Sequence, residues 1–303
     1  MRVDLHLHSN ASDGAHAPGE VMRIASAAGM SLVALTDHDT LDGVAEAQAA
    51  ADAAGLAFVP GVELSCEGDA QIHLLGYGVD MCSPLMCGFS AQRRQARRER
   101  AEQIILLLRN AGCRADFDVL LAADSVSAIS SISRVHIAQA LVRAGEASSI
   151  KEAFSRYLSP GRSAYVGLPD VSVAEALHML QAACAVAVLA HPGLVRVREE
   201  VLQEKIRIWR DNGLAGLEAF HTRHTQAQAY RYVRIARTLG MQVTGGSDFH
   251  GETIRQVRIG EGMSGWHSMA SDGYRLWSSL QHRYGVLPIT ESDLLKIEGE
   301  TEG

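Results

Sequence analysis

Short apolar stretches alternate with longer amphipathic ones along most of this chain, and that rhythm narrows its fold more than any other feature. Residues 2–8, 31–36 and 56–64 read as strands, with helices at 18–28 and 41–54 between them. Pro18 stands near the start of the first helix, and Gly29 and Gly55 follow the two helix ends. The alternation resumes later, with strands at 185–190, 214–220 and 241–247 separated by helices at 196–212 and 225–239. A strand at 71–78 breaks the pattern. The link before it, 65–70, is too short for a parallel crossover, which takes about a dozen residues. Strands 56–64 and 71–78 should therefore run antiparallel, which brings Glu63 beside His73. From 86 to 181 only helices are legible, at 90–110 and 133–144, with Ser149…Glu152 and Ser172…Glu175 spaced as capping boxes. The expectation is an α/β fold: a distorted (β/α)7 barrel from residues 1–85 and 182–290, an inserted all-helical subdomain at 86–181, and an acidic tail at 291–303.

A length of 303 residues suits one barrel-type domain or two ordinary ones. A formal net charge of −7 offers no global basic field for nucleic acid or membrane. An anionic substrate stays open, because bound divalent cations invert the local sign of a site. Five cysteines without a CxxC pair suit a reducing compartment. The chain starts directly on a strand, and its longest apolar run, around 182–190, is about half a membrane span. These features predict a cytoplasmic protein with no membrane association and no obligate protein partner.

Candidate chemistry clusters at strand ends. His6 and His8 stand at i and i+2 on the first strand, so both imidazoles face one side, ~6–7 Å apart. Asp13 lies in the loop after that strand, and Asp37-His38-Asp39 follows the second. Glu63 ends the third, His73 begins the fourth and His191 follows the fifth. His221 and His224 follow the sixth, and Asp248 and His250 the last. The C-terminal mouth is where barrels of this type build active sites. Imidazoles and carboxylates without cysteine suit Mn²⁺ first, with Zn²⁺, Fe²⁺ and Mg²⁺ as alternatives. Their number exceeds the needs of one ion and calls for two or three. Such clusters polarise phosphoryl oxygens and lower the pKa of a bound water.

With these segments the chain resembles the PHP (polymerase and histidinol phosphatase) phosphoesterases of the amidohydrolase superfamily. The resembling elements are Asp4-Leu-His6-Leu-His8-Ser, Thr36-Asp-His38-Asp, Gly61-Val-Glu63, His73-Leu-Leu-Gly-Tyr, Ala190-His191-Pro-Gly and Gly246-Ser-Asp248-Phe-His250. The resemblance implies three metal positions: His6, His8, Glu63 and Asp248; Glu63 again with His73 and His191; and Asp13, His38 and His250. Within the family the chain is most similar to 3',5'-nucleotide bisphosphate phosphatases and short-oligoribonucleotide 5'→3' exonucleases. That likeness implies a nucleotide substrate, with short RNA as an extension. It also implies that an arginine of the insertion grips the scissile phosphate. Arg134 fits that role, beside His136 at a helix start where N–H groups favour phosphate.

His221, rather than His224, is the expected mouth histidine holding phosphate or protonating the leaving oxygen. Arg162 is a candidate for a second phosphate. Asp37 is expected to orient His38 or its loop. The run Arg93-Arg94-Gln-Ala-Arg97-Arg98-Glu-Arg100 reads as a solvated helix face, with guidance of polyanions as the alternative, and His16, His178, His267 and His282 read as surface or packing residues. Alternatives are the same chemistry on histidinol phosphate, cyclic nucleotides or DNA ends, and a non-catalytic metal-binding module.

Overall fold

The computed structural model describes residues 2–66, 72–115, 132–169, 171–252 and 254–261. Seven strands form one sheet in sequence order: β1 (Val3–Leu7), β2 (Leu32–Leu35), β3 (Ala57–Cys66), β4 (Ile72–Tyr77), β5 (Val186–Leu189), β6 (Leu214–His221) and β7 (Gln242–Gly246). Helices α1 (Pro18–Ala27), α2 (Val44–Ala54), α7 (Glu199–Asp211) and α8 (Gln226–Thr238) supply the crossovers. Between β4 and β5 come α3 (Pro84–Asn110), α4 (Arg134–Arg143), the short α5 (Ile150–Ala153) running into a π-helical turn at Phe154–Leu158, and α6 (Val173–Ala182).

The pairing is parallel except at β4, which runs antiparallel to both neighbours. Reversal puts the start of β4, and so His73, at the end of the sheet where the other strands finish. The two outer strands meet through the segment after β7. Asp248 N–H donates to His6 O at 3.0 Å, and His8 N–H to Phe249 O at 2.9 Å, curling the sheet toward closure. Gly246 makes this seam possible: a Cβ there would lie 2.2 Å from His6 Cβ and 2.6 Å from His6 N. Asp4, fully buried, ties the seam from below by accepting N–H groups of Ser247 (2.9 Å) and Gly260 (2.8 Å).

Along β1 the strand period sends Asp4 and His6 toward the seam and site, while Val3, Leu5 and Leu7 join the apolar cores. The helical block divides in two. Ile104, Leu108, Ile137, Leu141 and Leu158 build a core of their own from α3, α4 and the π turn. α6, placed with the insertion on sequence alone, instead packs Val173, Leu177 and Leu180 into the barrel core. Gly76 of β4 admits it, since a Cβ there would meet Leu180 Cδ2 at 2.4 Å. α3 also starts earlier than expected, because Pro84 at its first turn is pre-set for a helix. Of the two expected capping boxes, Ser172 and Glu175 form one. At Ser149 the hydroxyl caps the Glu152 N–H, but the Glu152 carboxylate turns to the N–H and hydroxyl of Ser148. His267, His282 and residues 291–303 lie outside the described residues, and among the described ones no helix is long and apolar enough to cross a membrane.

Candidate metal centre

Glu63, 1% exposed, is the hub of the mouth. Its Oε1 lies 2.7 Å from His73 Nδ1 and 3.0 Å from His191 Nε2. Its Oε2 lies 3.2 Å from His6 Nε2, His8 Nε2 and His38 Nδ1. His73 reaches it from a diagonal position: Ser65, not Glu63, is directly opposite His73, and the two-residue offset keeps both side chains on one face. Asp248 gathers a second set, with Oδ1 at 3.4 Å from His8 Nε2 and 3.7 Å from His6 Nε2. Asp13 Oδ1 is 3.2 Å from His250 Nε2 and 3.9 Å from His8 Nδ1. All nine residues named for metal thus converge on one mouth. The rings of His6 and His8 are 5.0 Å apart, closer than strand rise alone suggests.

The donor set fits divalent cations. Both nitrogens of His8, His38 Nδ1, His191 Nδ1 and His250 Nε2 are buried without a hydrogen-bond partner, although carboxylate oxygens stand near several of them. Buried polar atoms ordinarily find partners, so this concentration of orphans points to an ion between them. Four groups bring one atom from each member within 4.8 Å of the others: His8, Asp13, His38 and His250; His6, His8 and Asp248; His6, Glu63 and His191; His38, Glu63 and His73. These overlap with the three expected sets but are not identical. His8 also joins the Asp13 group, and His38 also joins Glu63.

The same crowding sets proton affinities. Burial opposes charge on His8, yet Asp248 and Glu63 hold its proton up to about 9. For His38 burial wins over Glu63 and Asp13 and lowers it to about 3. Glu63 stays ionised far below the usual carboxylate range, despite burial, because His38, His6 and His73 surround it. Asp248 does likewise beside Arg255 and His250.

Backbone strain concentrates here too. Asp39 (φ 57°), His191 (φ 26°) and Asp248 (φ 56°) are three of the four non-glycine residues with positive φ among the described residues. Asp37 accepts from the Ser9 N–H and from the hydroxyls of Ser9 and Ser12, so it anchors the loop after β1. One buried acid was missed by sequence reading. Glu218 and His221 are an odd number of residues apart, which in a regular strand puts them on opposite faces. A shift in the β6–β7 pairing between Glu218 and Phe220 turns both toward the site.

His221 is buried, with Nδ1 accepting the Arg223 N–H and Nε2 3.3 Å from Asp248 Oδ2. His224 spends both nitrogens on backbone: Nδ1–H donates to Ala219 O and Nε2 accepts from Gly193 N–H. His136 Nδ1 accepts the Ser133 N–H and closes a capping box on α4. Arg162 is exposed in its turn and does not line the cleft over the histidine and carboxylate cluster.

That cleft, about 410 Å³, is walled by the helical block. Here the structure corrects the reading of the arginine run. Arg93, Arg97 and Arg100, spaced i, i+4, i+7, are buried and line the cleft; Arg94 and Arg98 take the solvated side. Asp39 receives hydrogen bonds from Arg93 and Arg97 on one carboxylate oxygen and from Ser65 N–H on the other. Arg100 forms no ion pair among the described residues, and its Nε lacks a partner. Burial, then the neighbouring cations Arg97, Arg134 and Arg93, push its pKa well down. Arg134 also lines the cleft, its guanidinium held over the rings of Phe154 (5.8 Å) and Tyr165 (5.4 Å) and donating to Leu158 O at 3.2 Å.

Comparison with known proteins places this arrangement. The PHP domain family profile matches residues 4–160. A 3',5'-nucleoside bisphosphate phosphatase of Chromobacterium violaceum is 36% identical over 259 residues, 84% of this chain and 90% of that protein. A 5'-3' exoribonuclease of Haemophilus influenzae is 33% identical over 250 residues, covering 82% and 90%. A solved structure from Bifidobacterium adolescentis, described as a metal-dependent phosphoesterase, superposes with a TM-score of 0.79 at 30% identity, covering 90% of this chain and 96% of that one.

Proposed function

From the chain's membership of the PHP domain family, we propose that it is a metal-dependent phosphatase that removes the 3'-phosphate of nucleoside 3',5'-bisphosphates. The observation that carries this reading is one cleft with two kinds of surface: a floor of histidines and carboxylates, which would draw a phosphate once it held cations, and a wall of arginines. A substrate with a single phosphate needs only the first. The relative from Chromobacterium violaceum is named for this activity, which supports the assignment.

His6, His8, Asp13, His38, Glu63, His73, His191, Asp248 and His250 would hold two or three divalent ions, Mn²⁺ first among them. Bound there, such ions supply Lewis acidity and an activated water for attack on phosphorus. Arg134 grips the scissile phosphate and offsets charge gathering on its oxygens in the transition state. Arg93, Arg97 and Arg100 hold the 5'-phosphate, which fixes the nucleotide so that its 3'-phosphate meets the floor. His221, with Nε2 3.3 Å from Asp248 Oδ2, orients that carboxylate beside the site of the phosphate. Asp37, His136 and His224 shape their loops. Products are a nucleoside 5'-phosphate and inorganic phosphate.

A second reading, trimming of short RNA from a 5'-phosphorylated end, is favoured by a groove that continues past Arg100 along Val166–Pro169. The relative from Haemophilus influenzae carries the name of such an activity. The test is phosphate or nucleotide release by manganese-loaded protein from adenosine 3',5'-bisphosphate, 3'-AMP, AMP, histidinol phosphate and a 5'-phosphorylated RNA trinucleotide. Preference for the bisphosphate, with AMP as product, is expected. Equal turnover of 3'-AMP would remove the arginine wall from the account.

A further inference from the structure

Beneath the floor lies a carboxylate that none of the groups within ion-binding distance includes. Glu218 is completely buried in β6. Its Oε1 lies 2.9 Å from His6 Nδ1, and its Oε2 accepts the backbone N–H of His191 at 2.7 Å. Each contact has a consequence for the residues above it. An ionised carboxylate only accepts hydrogen bonds, so His6 must carry its proton on Nδ1. That leaves Nε2 to face Glu63 and Asp248, at 3.2 and 3.7 Å. On the other side, His191 follows β5 with φ 26° and ψ 60°, a conformation a non-glycine residue keeps only when its surroundings hold it there. The Glu218 bond to its N–H is one such hold. Through it His191 Nε2 is aimed at Glu63 Oε1, 3.0 Å away, with its ring stacked on that of His6.

We propose that Glu218 is a positioning residue: one buried carboxylate, gripping the ring of His6 and the backbone of His191, fixes at a set separation two side chains that share an ion-binding group with Glu63 and so sets the affinity of that half of the centre. Hydrogen-bond partners of this kind tune metal affinity by about 10- to 100-fold. The inference rests on the metal reading proposed above, and its test separates the two.

Manganese binding is counted by electron paramagnetic resonance of free Mn²⁺ in wild type, Glu218→Gln and Glu218→Ala, with thermal unfolding of each chelated protein alongside. Glutamine preserves size and lets an amide oxygen still accept from His191 N–H. Its NH₂ group, however, asks His6 Nδ1 for a lone pair and moves the proton to Nε2. The expected result is loss of about 10- to 100-fold in affinity for the ions served by His6, with binding at the Asp13, His38 and His250 side retained. Glu218→Ala should lose at least as much. Wild-type affinity and stoichiometry in Glu218→Gln would overturn the proposal, as would a uniform weakening of every ion that merely tracks lost thermal stability. A wild-type protein that binds no manganese would overturn the metal reading and this inference with it.

Discussion

Replacing Asp39 by asparagine should destabilise the protein while freeing the arginines that wall its cleft. Asp39 is 1% exposed and neutralises Arg93 and Arg97, which are themselves buried. Burial works against its ionisation, but the two guanidinium groups hold its carboxyl at about 2, against 3.8 ordinarily. That difference corresponds to about 2–3 kcal/mol of stability. Because the folded value is depressed, the contribution is present above pH 3.8 and fades as pH falls toward 2, so it is fully felt at neutral pH. Removing one member of a buried ion pair costs about 3–5 kcal/mol in general, which agrees in size. Asparagine tolerates the left-handed backbone at this position, so the loss is electrostatic.

At about 1.6 °C per kcal/mol for a chain of this size, a loss of about 3 kcal/mol lowers Tm by roughly 5 °C. Differential scanning calorimetry at pH 7 reads this directly. Added inorganic phosphate should recover part of the loss in the variant and raise wild type less, because an anion replaces the missing carboxylate. An unchanged Tm, or phosphate stabilising both proteins equally, would refute the idea that Asp39 is the internal counter-ion of the wall.

Three further outcomes follow from the same geometry. Arg100→Ala should raise KM for the bisphosphate by about ten- to a hundred-fold, as expected for a charged hydrogen bond, while leaving stability equal or higher, because a buried cation that has no ion pair among the described residues is removed; steady-state kinetics and calorimetry together check the opposed signs. Gly246→Ala should force β7 away from His6 and cost about 1–3 kcal/mol or more, visible as lowered Tm and weakened manganese binding in one variant. In chelated protein His8 keeps its proton up to about 9, above the 6.5 of an unfolded chain, so its contribution is complete below pH 6.5 and lost as pH rises through 9. Tm of chelated protein should fall over that window, whereas manganese-loaded protein should not show the fall, since metal takes the place of the proton; parallel profiles would contradict this.

How far the sequence could be read is instructive residue by residue. The strand rhythm and the short link at 65–70 were enough to reverse β4 and to bring His73 to Glu63, because both conclusions depend only on chain reach and strand period. The diagonal offset between them needed the actual register. The arginine spacing at 93, 97 and 100 was visible, but a helical stripe does not say which way it faces. Only the packing of α3 over the mouth turns it inward. Glu218 was hidden by parity, since a pairing irregularity in β6 puts it on the face that a regular strand assigns to its neighbours. His224 and His136 are common at binding sites as a residue type, and only the backbone partners of their ring nitrogens reveal their loop-shaping contacts.

The most direct test of the central claim measures bound manganese and turnover of adenosine 3',5'-bisphosphate on the same samples as chelated protein is titrated with Mn²⁺. AMP and phosphate should be absent from fully chelated protein and appear in step with bound metal, reaching a plateau at two or three ions per chain. Undiminished phosphate release from protein shown to hold no metal would contradict the account.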